Sequence, residues 1–134
     1  MPLVDINLNE VKEKPRLPAG QDLEFAIVVA NPGIAKQANK RTGNREPLIS
    51  YELHPVDPEW SDRKVYGFWS LSPGALESDD PVWSIKKFFI VVGHGIGPQG
   101  NFATEDLMTI RFIGQVGYKE GDNRPKLNKI LRRA

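Results

Sequence analysis

The sequence predicts an all-β domain with one helix, and three observations support this. Apolar and polar residues alternate over five short segments, which is the pattern of half-buried strands. Glycine and proline are spread between these segments in turn-like clusters and are not gathered in one linker. One longer apolar segment follows a capping sequence, as a helix requires. The length of 134 residues fits a single domain, residues 1–134.

The first three predicted strands lie in the first half of the chain. Segment 22–31 alternates and is predicted to end at Pro32, because proline cannot donate to a sheet ladder. Segments 48–54 and 64–71 alternate in the same way. The polar face of the third strand carries Lys64, Tyr66, Phe68 and Ser70, opposite Val65, Gly67, Trp69 and Leu71.

Two stretches of this first half lie outside the predicted strands. Residues 1–20 form an N-terminal extension, with one further candidate strand at 3–8. Residues 32–47 form a long basic loop. Loops of this length in a compact domain are usually functional or mobile, so this loop is a candidate binding element.

One helix is predicted between the third and fourth strands. Asp79 or Asp80 is expected to cap it, Pro81 suits its first turn, and Gly93 should end it after Val92. The aromatic residues expected in the core are Phe25, Trp83, Phe88, Phe89 and Phe112.

The last two predicted strands are segments 107–118 and 126–132. Leu127 and Leu131 are expected on one face of the last strand, with Ile130 on the other. Three strands, a helix and two strands are the element order of the OB-fold, a five-stranded barrel. That fold presents nucleic acid or sugar to strands two and three and to the loops one–two and four–five. A small antiparallel α+β sheet domain is the competing architecture.

The formal net charge of +1 hides an uneven distribution. Residues 32–45 carry four basic residues and no acid, and residues 119–134 carry six against two acids. Residues 46–80 between them hold eight acids and two basic residues. The two basic segments coincide with the predicted loops one–two (32–47) and four–five (117–125). Charge and fold therefore indicate the same face as a site for a polyanion.

The residues that carry catalysis or hold metals are sparse. The chain has no cysteine, and His54 and His94 do not stand at a metal-ligand spacing. Segment 95–100 matches G-x-G-x-x-G, but it follows a helix and contains Pro98, so it does not indicate a dinucleotide site. We therefore expect no catalytic residue, no metal, no cofactor and no enzymatic activity.

Neither a membrane span nor a secretory signal is visible. No apolar segment approaches the roughly 20 residues that a spanning helix needs. The N-terminus lacks the basic and apolar regions of a signal peptide. We expect a cytoplasmic protein without a membrane partner.

Four segments carry a family resemblance: 17–20, 48–76, 92–97 and 104–131. Together they resemble the small bacteriophage proteins of replication and recombination modules that bind single-stranded DNA. The resemblance implies an OB-type barrel, sequence-tolerant binding of single strands, and neither cofactor nor catalysis. It also implies location in the host cytoplasm, with phage replication or recombination proteins as further partners. A homo-oligomer is one alternative for the state of assembly, which the sequence does not decide.

The resulting hypothesis assigns phosphate contacts to the two basic segments and base stacking to the third strand. Bases stack on aromatic rings with about 1–3 kcal/mol each, without regard to sequence. The expected nucleic-acid-binding residues are Lys36, Lys40, Arg41, Arg45, Lys64, Tyr66, Phe68, Arg111, Lys119, Arg124 and Lys126.

Two other functions compete with this hypothesis. In a structural or assembly module of a virus particle, Tyr66 and Phe68 would be buried in a protein interface. In an RNA- or oligosaccharide-binding OB domain, the same face would take a different ligand.

Overall fold

The computed structural model of the protein describes residues 15–41, 43–95 and 100–134. Five strands form one antiparallel sheet, in the order β3-β2-β1-β4-β5. The strands are β1 (Leu23–Ile34), β2 (Pro47–Pro55), β3 (Val65–Ser70), β4 (Arg111–Gly117) and β5 (Lys126–Arg133). The predicted strand-rich architecture is confirmed, and the candidate strand at 3–8 lies outside the described residues.

In the described residues between β3 and β4 there are three short helices, where the sequence predicted one. They are α1 (Pro73–Leu76), α2 (Ile85–Val91) and α3 (Thr104–Leu107). Ser84 caps α2, because its hydroxyl accepts a hydrogen bond of 3.2 Å from the backbone N–H of Lys87. The predicted start of this helix at Pro81 is therefore wrong.

The predicted helix is wrong at its N-terminal end and confirmed at its C-terminal end. Asp80 caps a separate turn by accepting from the backbone N–H of Val82 at 3.0 Å, and Trp83 in that turn is 62% exposed. The expectation that Trp83 lies in the core is wrong, because the turn comes before the buried face of α2 begins. Gly93 follows α2 with φ of +66°, so it ends the helix as predicted.

Strand β1 continues beyond its predicted end and includes Pro32 and Gly33. Strand β4 pairs with β1 only from Leu23 to Ala26. Farther along, the described ladder of β1 is with β2 alone, where Pro32 lies opposite Ile49. Proline has no backbone N–H to donate, and Pro32 is tolerated there because one side of the strand has no hydrogen-bonded neighbour. The loop one–two is therefore shorter than predicted and spans residues 35–46.

The fourth strand begins four residues later than predicted. Leu107 ends α3, and the backbone N–H of Ile110 donates to its carbonyl at 3.1 Å. This turn places Leu107 and Ile110, three residues apart, in the core and leaves Met108 exposed. Helical spacing and strand alternation cannot be distinguished over so few residues.

The side chains of the last strand that point to the core differ from those predicted. The register between β4 and β5 shifts twice, which leaves Asn128 and Leu131 without a cross-strand partner of their own. Such bulges interrupt the alternation of side chains. As a result, Leu127 and Ile130 both face the core and Leu131 is exposed, so the predicted shared face of Leu127 and Leu131 is wrong.

A chain of aromatic rings forms the centre of one hydrophobic core. Tyr51 and Trp69 have ring centroids 4.6 Å apart, and Trp69 lies 4.8 Å from Phe88. Phe88 then contacts Phe112 edge-on at 5.5 Å, and Phe112 lies 5.8 Å from Phe25. These rings join α2 to the inner side of strands β1–β4. The predicted core positions Phe25, Phe88, Phe89 and Phe112 are confirmed as buried.

The sheet remains open between its two edges. Residues of β3 and β5 approach within 8 Å between Cα atoms, which shows that the sheet is strongly curved. No ladder joins β3 to β5 in the described part of the chain. The closed barrel that the sequence predicted is not confirmed.

Candidate nucleic-acid interface

The outer face of β3 carries two exposed aromatic rings. Tyr66 is 62% exposed and Phe68 is 54% exposed, whereas Val65 before them and Trp69 after them are fully buried. Two residues on one face of a strand are about 7 Å apart. The facing that the alternation predicted for this strand is therefore confirmed, and it presents two rings to solvent in a row.

The position of β3 is fixed by a close contact under its middle residue. Gly67 pairs with Tyr51 of β2, and the Tyr51 ring lies against the Gly67 backbone. A Cβ placed on Gly67 would come within 2.6 Å of Tyr51 Cζ. Only glycine leaves room for this ring, which in turn packs at a tilt against the Trp69 ring. Burial raises the pKa of Tyr51, so its hydroxyl stays neutral.

A carboxylate lies beside the two rings. Glu52 of β2 is the cross-strand partner of Tyr66, and its Oε2 is 3.1 Å from His54 Nε2. Lys64 Nζ is 3.9 Å from the other oxygen. Partial burial acts to raise the pKa of Glu52, but hydrogen bonds from Tyr66 and His54 hold it below its usual value. The outer face therefore includes one ionised acid, which the sequence hypothesis did not take into account.

Backbone hydrogen bonds continue the β1–β2 hairpin into the loop one–two. Ala35 donates to the carbonyl of Glu46 at 2.9 Å, and Asn39 donates to that of Asn44 at 2.8 Å. Gly43 adopts φ of +72°, which few residues other than glycine reach. These backbone bonds shape the loop that carries the first basic segment.

The four basic side chains of this loop are exposed: Lys36, Lys40, Arg41 and Arg45. Arg45 Nε donates to the carbonyl of Ala35 at 2.8 Å, which fixes it across the base of the loop. Arg41 Nη1 lies against the backbone of Gly74 in α1. The loop is therefore next to the segment that directly follows β3.

The loop four–five, residues 118–125, holds a paired arginine. Arg124 donates from Nε and Nη2 to the two oxygens of Asp122, at 3.2 and 3.3 Å. These hydrogen bonds lower the pKa of Asp122 and raise that of Arg124. The charge of Arg124 is thus largely offset within the loop.

Lys119 in this loop and Lys126 at the start of β5 crowd each other. A contact between the Lys119 and Lys126 side chains and the repulsion between their charges lower the pKa of Lys126. A bound anion would relieve this repulsion, so these two lysines are better candidates for phosphate contacts than Arg124.

The two loops lie at opposite ends of β3. Ser70, the last residue of β3, pairs with Leu48 beside the loop one–two. At the other end, Lys64 and Tyr66 line the same cleft as Arg124 of the loop four–five. The exposed rings therefore lie between the two basic segments, in the arrangement that the sequence hypothesis requires.

Arg111 lies apart from this group. It extends outward from β4 opposite Ala26 of β1, and its Nη1 is 3.9 Å from Glu24. Strands β1 and β2 separate it from β3. The structure does not bring Arg111 to the aromatic rings.

Three residues at the cleft were missed by the sequence hypothesis. Arg16 lies over the ring of Tyr118, with its guanidinium carbon 4.2 Å from the ring centroid. Arg63 lines the same cleft and donates to the carbonyl of Pro15 at 2.6 Å. Arg63 could have been found beside Lys64, but no local pattern indicates a contact across the hundred residues between Arg16 and Tyr118.

Comparisons with known proteins identify no relative. No family model, no curated protein and no solved structure matches the chain. Within residues 15–41, 43–95 and 100–134, no three histidine, aspartate or glutamate side chains are grouped so that they could hold a metal ion. In the same ranges, no helix is long and apolar enough to cross a lipid bilayer.

Proposed function

We propose that the protein binds single-stranded DNA without sequence preference and without catalysis, on the outer face of β2 and β3. The observation that carries the proposal is the position of Tyr66 and Phe68, exposed in a row between two basic loops. Rings in such a row stack on successive bases, and lysines at either end neutralise phosphates. By the family resemblance, the process served is phage DNA replication and recombination in the host cytoplasm.

The strand arrangement supports an OB-type barrel that is left open between β3 and β5. Strands β3 and β5 end the sheet order and approach each other. An OB barrel is partly open, and it binds oligonucleotides on strands two and three and on the loops one–two and four–five. Tyr66 and Phe68 lie on β3, and the basic residues Lys36, Lys40, Arg41, Arg45, Lys119 and Arg124 lie in these two loops.

Direct binding to a labelled oligonucleotide tests the proposal. Fluorescence anisotropy is measured with thymidine oligonucleotides of about thirty residues, and unlabelled duplex DNA is added as competitor. We expect tight binding that duplex does not displace. The alanine variants of Tyr66 and Phe68 should bind more weakly, and Trp83→Ala is the matched control, because Trp83 is as exposed as Tyr66 but lies beside α2. The absence of binding, or equal loss in the Trp83 variant, would contradict the proposal.

A second candidate function is assembly through protein contacts. Trp83 and Ile90 are 62% and 61% exposed, and the proposed DNA site does not use them. Exposed apolar groups of this size can mark protein interfaces. Sedimentation equilibrium tests this candidate: concentration-dependent association that Trp83→Ser abolishes would favour assembly over DNA binding.

A further inference from the structure

The cleft beside the loop four–five has the size of a small-molecule site. Its volume is about 330 Å³, near the lower end of the range for ligand pockets. The start of β3, the loop four–five and the segment before β1 form its walls. The lining residues are Arg16, Leu17, Asp62, Arg63, Lys64, Tyr66, Tyr118, Asn123, Arg124 and Pro125. A cavity of this size holds one nucleotide-sized group and not a length of chain.

Basic residues dominate this lining. Three arginines and one lysine face one carboxylate, that of Asp62. Arg124 is already paired with Asp122, and Lys64 Nζ lies 3.9 Å from Glu52, so the unbalanced charge comes mainly from Arg16 and Arg63. Such a wall favours an anion of more than one charge.

Arg63 contributes a donor that lacks a protein partner. Its Nη2 is fixed by the carbonyl of Pro15, but its Nε is buried without a hydrogen-bond partner among the described residues. A buried donor without a partner destabilises the folded protein. An anion that enters the cleft brings acceptors to this guanidinium.

Tyr118 holds a second guanidinium at the cleft. Its hydroxyl donates to the carbonyl of Leu17 at 2.7 Å, and its ring lies under Arg16. Partial burial raises the pKa of Tyr118, so it adds no negative charge. Arg16 is thereby kept where a bound anion can reach it.

We propose that this cleft binds the phosphomonoester of a nucleotide, with the nucleoside directed towards Tyr66. A phosphomonoester carries about −1.5 to −2 charges at neutral pH, more than the single charge of a phosphodiester, and so matches the cluster better. Tyr66 belongs both to the cleft and to the exposed face of β3. If the nucleotide is the end of a bound strand, the inference rests on the proposed function. If the nucleotide is free, the inference does not depend on the proposed function.

Oligonucleotides that differ only at their ends test the strand-bound form. Thymidine oligonucleotides carry a phosphate or a hydroxyl at the 5′ or the 3′ end, with the fluorophore at the opposite end. We expect one phosphorylated end to bind at least about fivefold more tightly than its hydroxyl counterpart, a preference worth about 1 kcal/mol. Arg16→Gln should abolish the preference, and Arg132→Gln on β5 should retain it.

A mononucleotide separates this inference from the proposed function. The ¹H–¹⁵N signals of the arginine Nε groups are followed with thymidine monophosphate, with thymidine and with inorganic phosphate. Shifts in Arg63 or Arg16 with the monophosphate but not with thymidine support the cleft, even if no oligonucleotide binds. Shifts of equal size with inorganic phosphate contradict the nucleoside contact. If the oligonucleotides bind regardless of their ends and the monophosphate causes no shift, the cleft inference is wrong and the proposed function stands.

Discussion

At the residue scale, the two exposed aromatic rings of β3 are the feature that a bound ligand would explain best. Burying a large apolar side chain contributes about 1.5–3 kcal/mol, and Tyr66 and Phe68 forgo much of this contribution. Neighbouring Trp69, one residue away, is fully buried. The alternation within six residues thus divides β3 into a structural face and a face that is free to bind.

The Phe68→Ala variant tests the role of one ring. We expect it to weaken single-strand binding by about 1–3 kcal/mol, a factor of about five to 150, because one stacked base is lost. Its salt dependence should match the wild type, because no charge changes. Isothermal titration at several salt concentrations measures both quantities. An unchanged affinity would contradict the assignment, and so would a salt slope that differs from that of the wild type.

The Glu52→Gln variant tests the effect of the acid on the same face. Its lowered pKa keeps Glu52 fully ionised from about pH 6 to pH 8, where it repels phosphates. We expect the amide to increase DNA affinity about two- to tenfold. The amide oxygen still accepts from Tyr66, so the ring should stay in place. Weaker binding in the variant would show that the carboxylate contacts the ligand favourably.

Single residues differ in how well the sequence predicted them. The exposed facing of Tyr66 and Phe68 was predicted correctly, because alternation within a strand is a local property. Trp83 was not, because an earlier turn replaced the expected helix start. The contact of Arg16 with Tyr118 depends on the whole fold, so no local pattern could indicate it.

At the element scale, the pairing of β3 with β2 depends on Gly67. We expect Gly67→Ala to destabilise the protein by about 1–3 kcal/mol, because its methyl group would collide with the Tyr51 ring. Thermal unfolding should show a lower Tm by about 3–10 °C. Gly33→Ala is the control, since the nearest atom to its Cβ is 3.5 Å away. Equal stability of the two variants would contradict the packing described.

The loop four–five allows paired and crowded charges to be compared. The double variant Lys119→Gln/Lys126→Gln should weaken binding of a hydroxyl-ended oligonucleotide and reduce the salt slope by about 1.4, since two phosphate contacts are lost. The double variant Asp122→Asn/Arg124→Gln removes a bonded pair at constant net charge and should leave the slope unchanged. If the second variant changes the slope as much as the first, Arg124 contacts phosphate and the assignment of the lysines is wrong.

The boundaries of elements were harder to predict than their order. Strands β2 and β3 have nearly the bounds that alternation indicates, whereas β1 continues three residues beyond its predicted end. The short helix α3 and the bulges of β5 differ from prediction, because each depends on packing against distant residues. One inserted residue at Asn128 is enough to turn Leu131 outward.

At the scale of the whole molecule, the distribution of charge matters more than its sum. A net charge of +1 provides little general attraction for DNA. The fold places the basic segments at the two ends of one strand, and the acidic Glu52 lies between them. Sequence composition indicated two basic segments, and only the sheet topology shows that a row of aromatic rings separates them.

The measurement that tests the central claim most directly is the salt dependence of binding to a hydroxyl-ended thymidine oligonucleotide. With contacts to about five phosphates, log K should fall with log salt at a slope near −3.5. Fluorescence anisotropy from about 50 to 300 mM salt gives this slope. A slope near −3.5 for the wild type and for Phe68→Ala, with weaker binding of the variant throughout, is the predicted result. A slope near zero, or no binding at the lowest salt, would contradict the account.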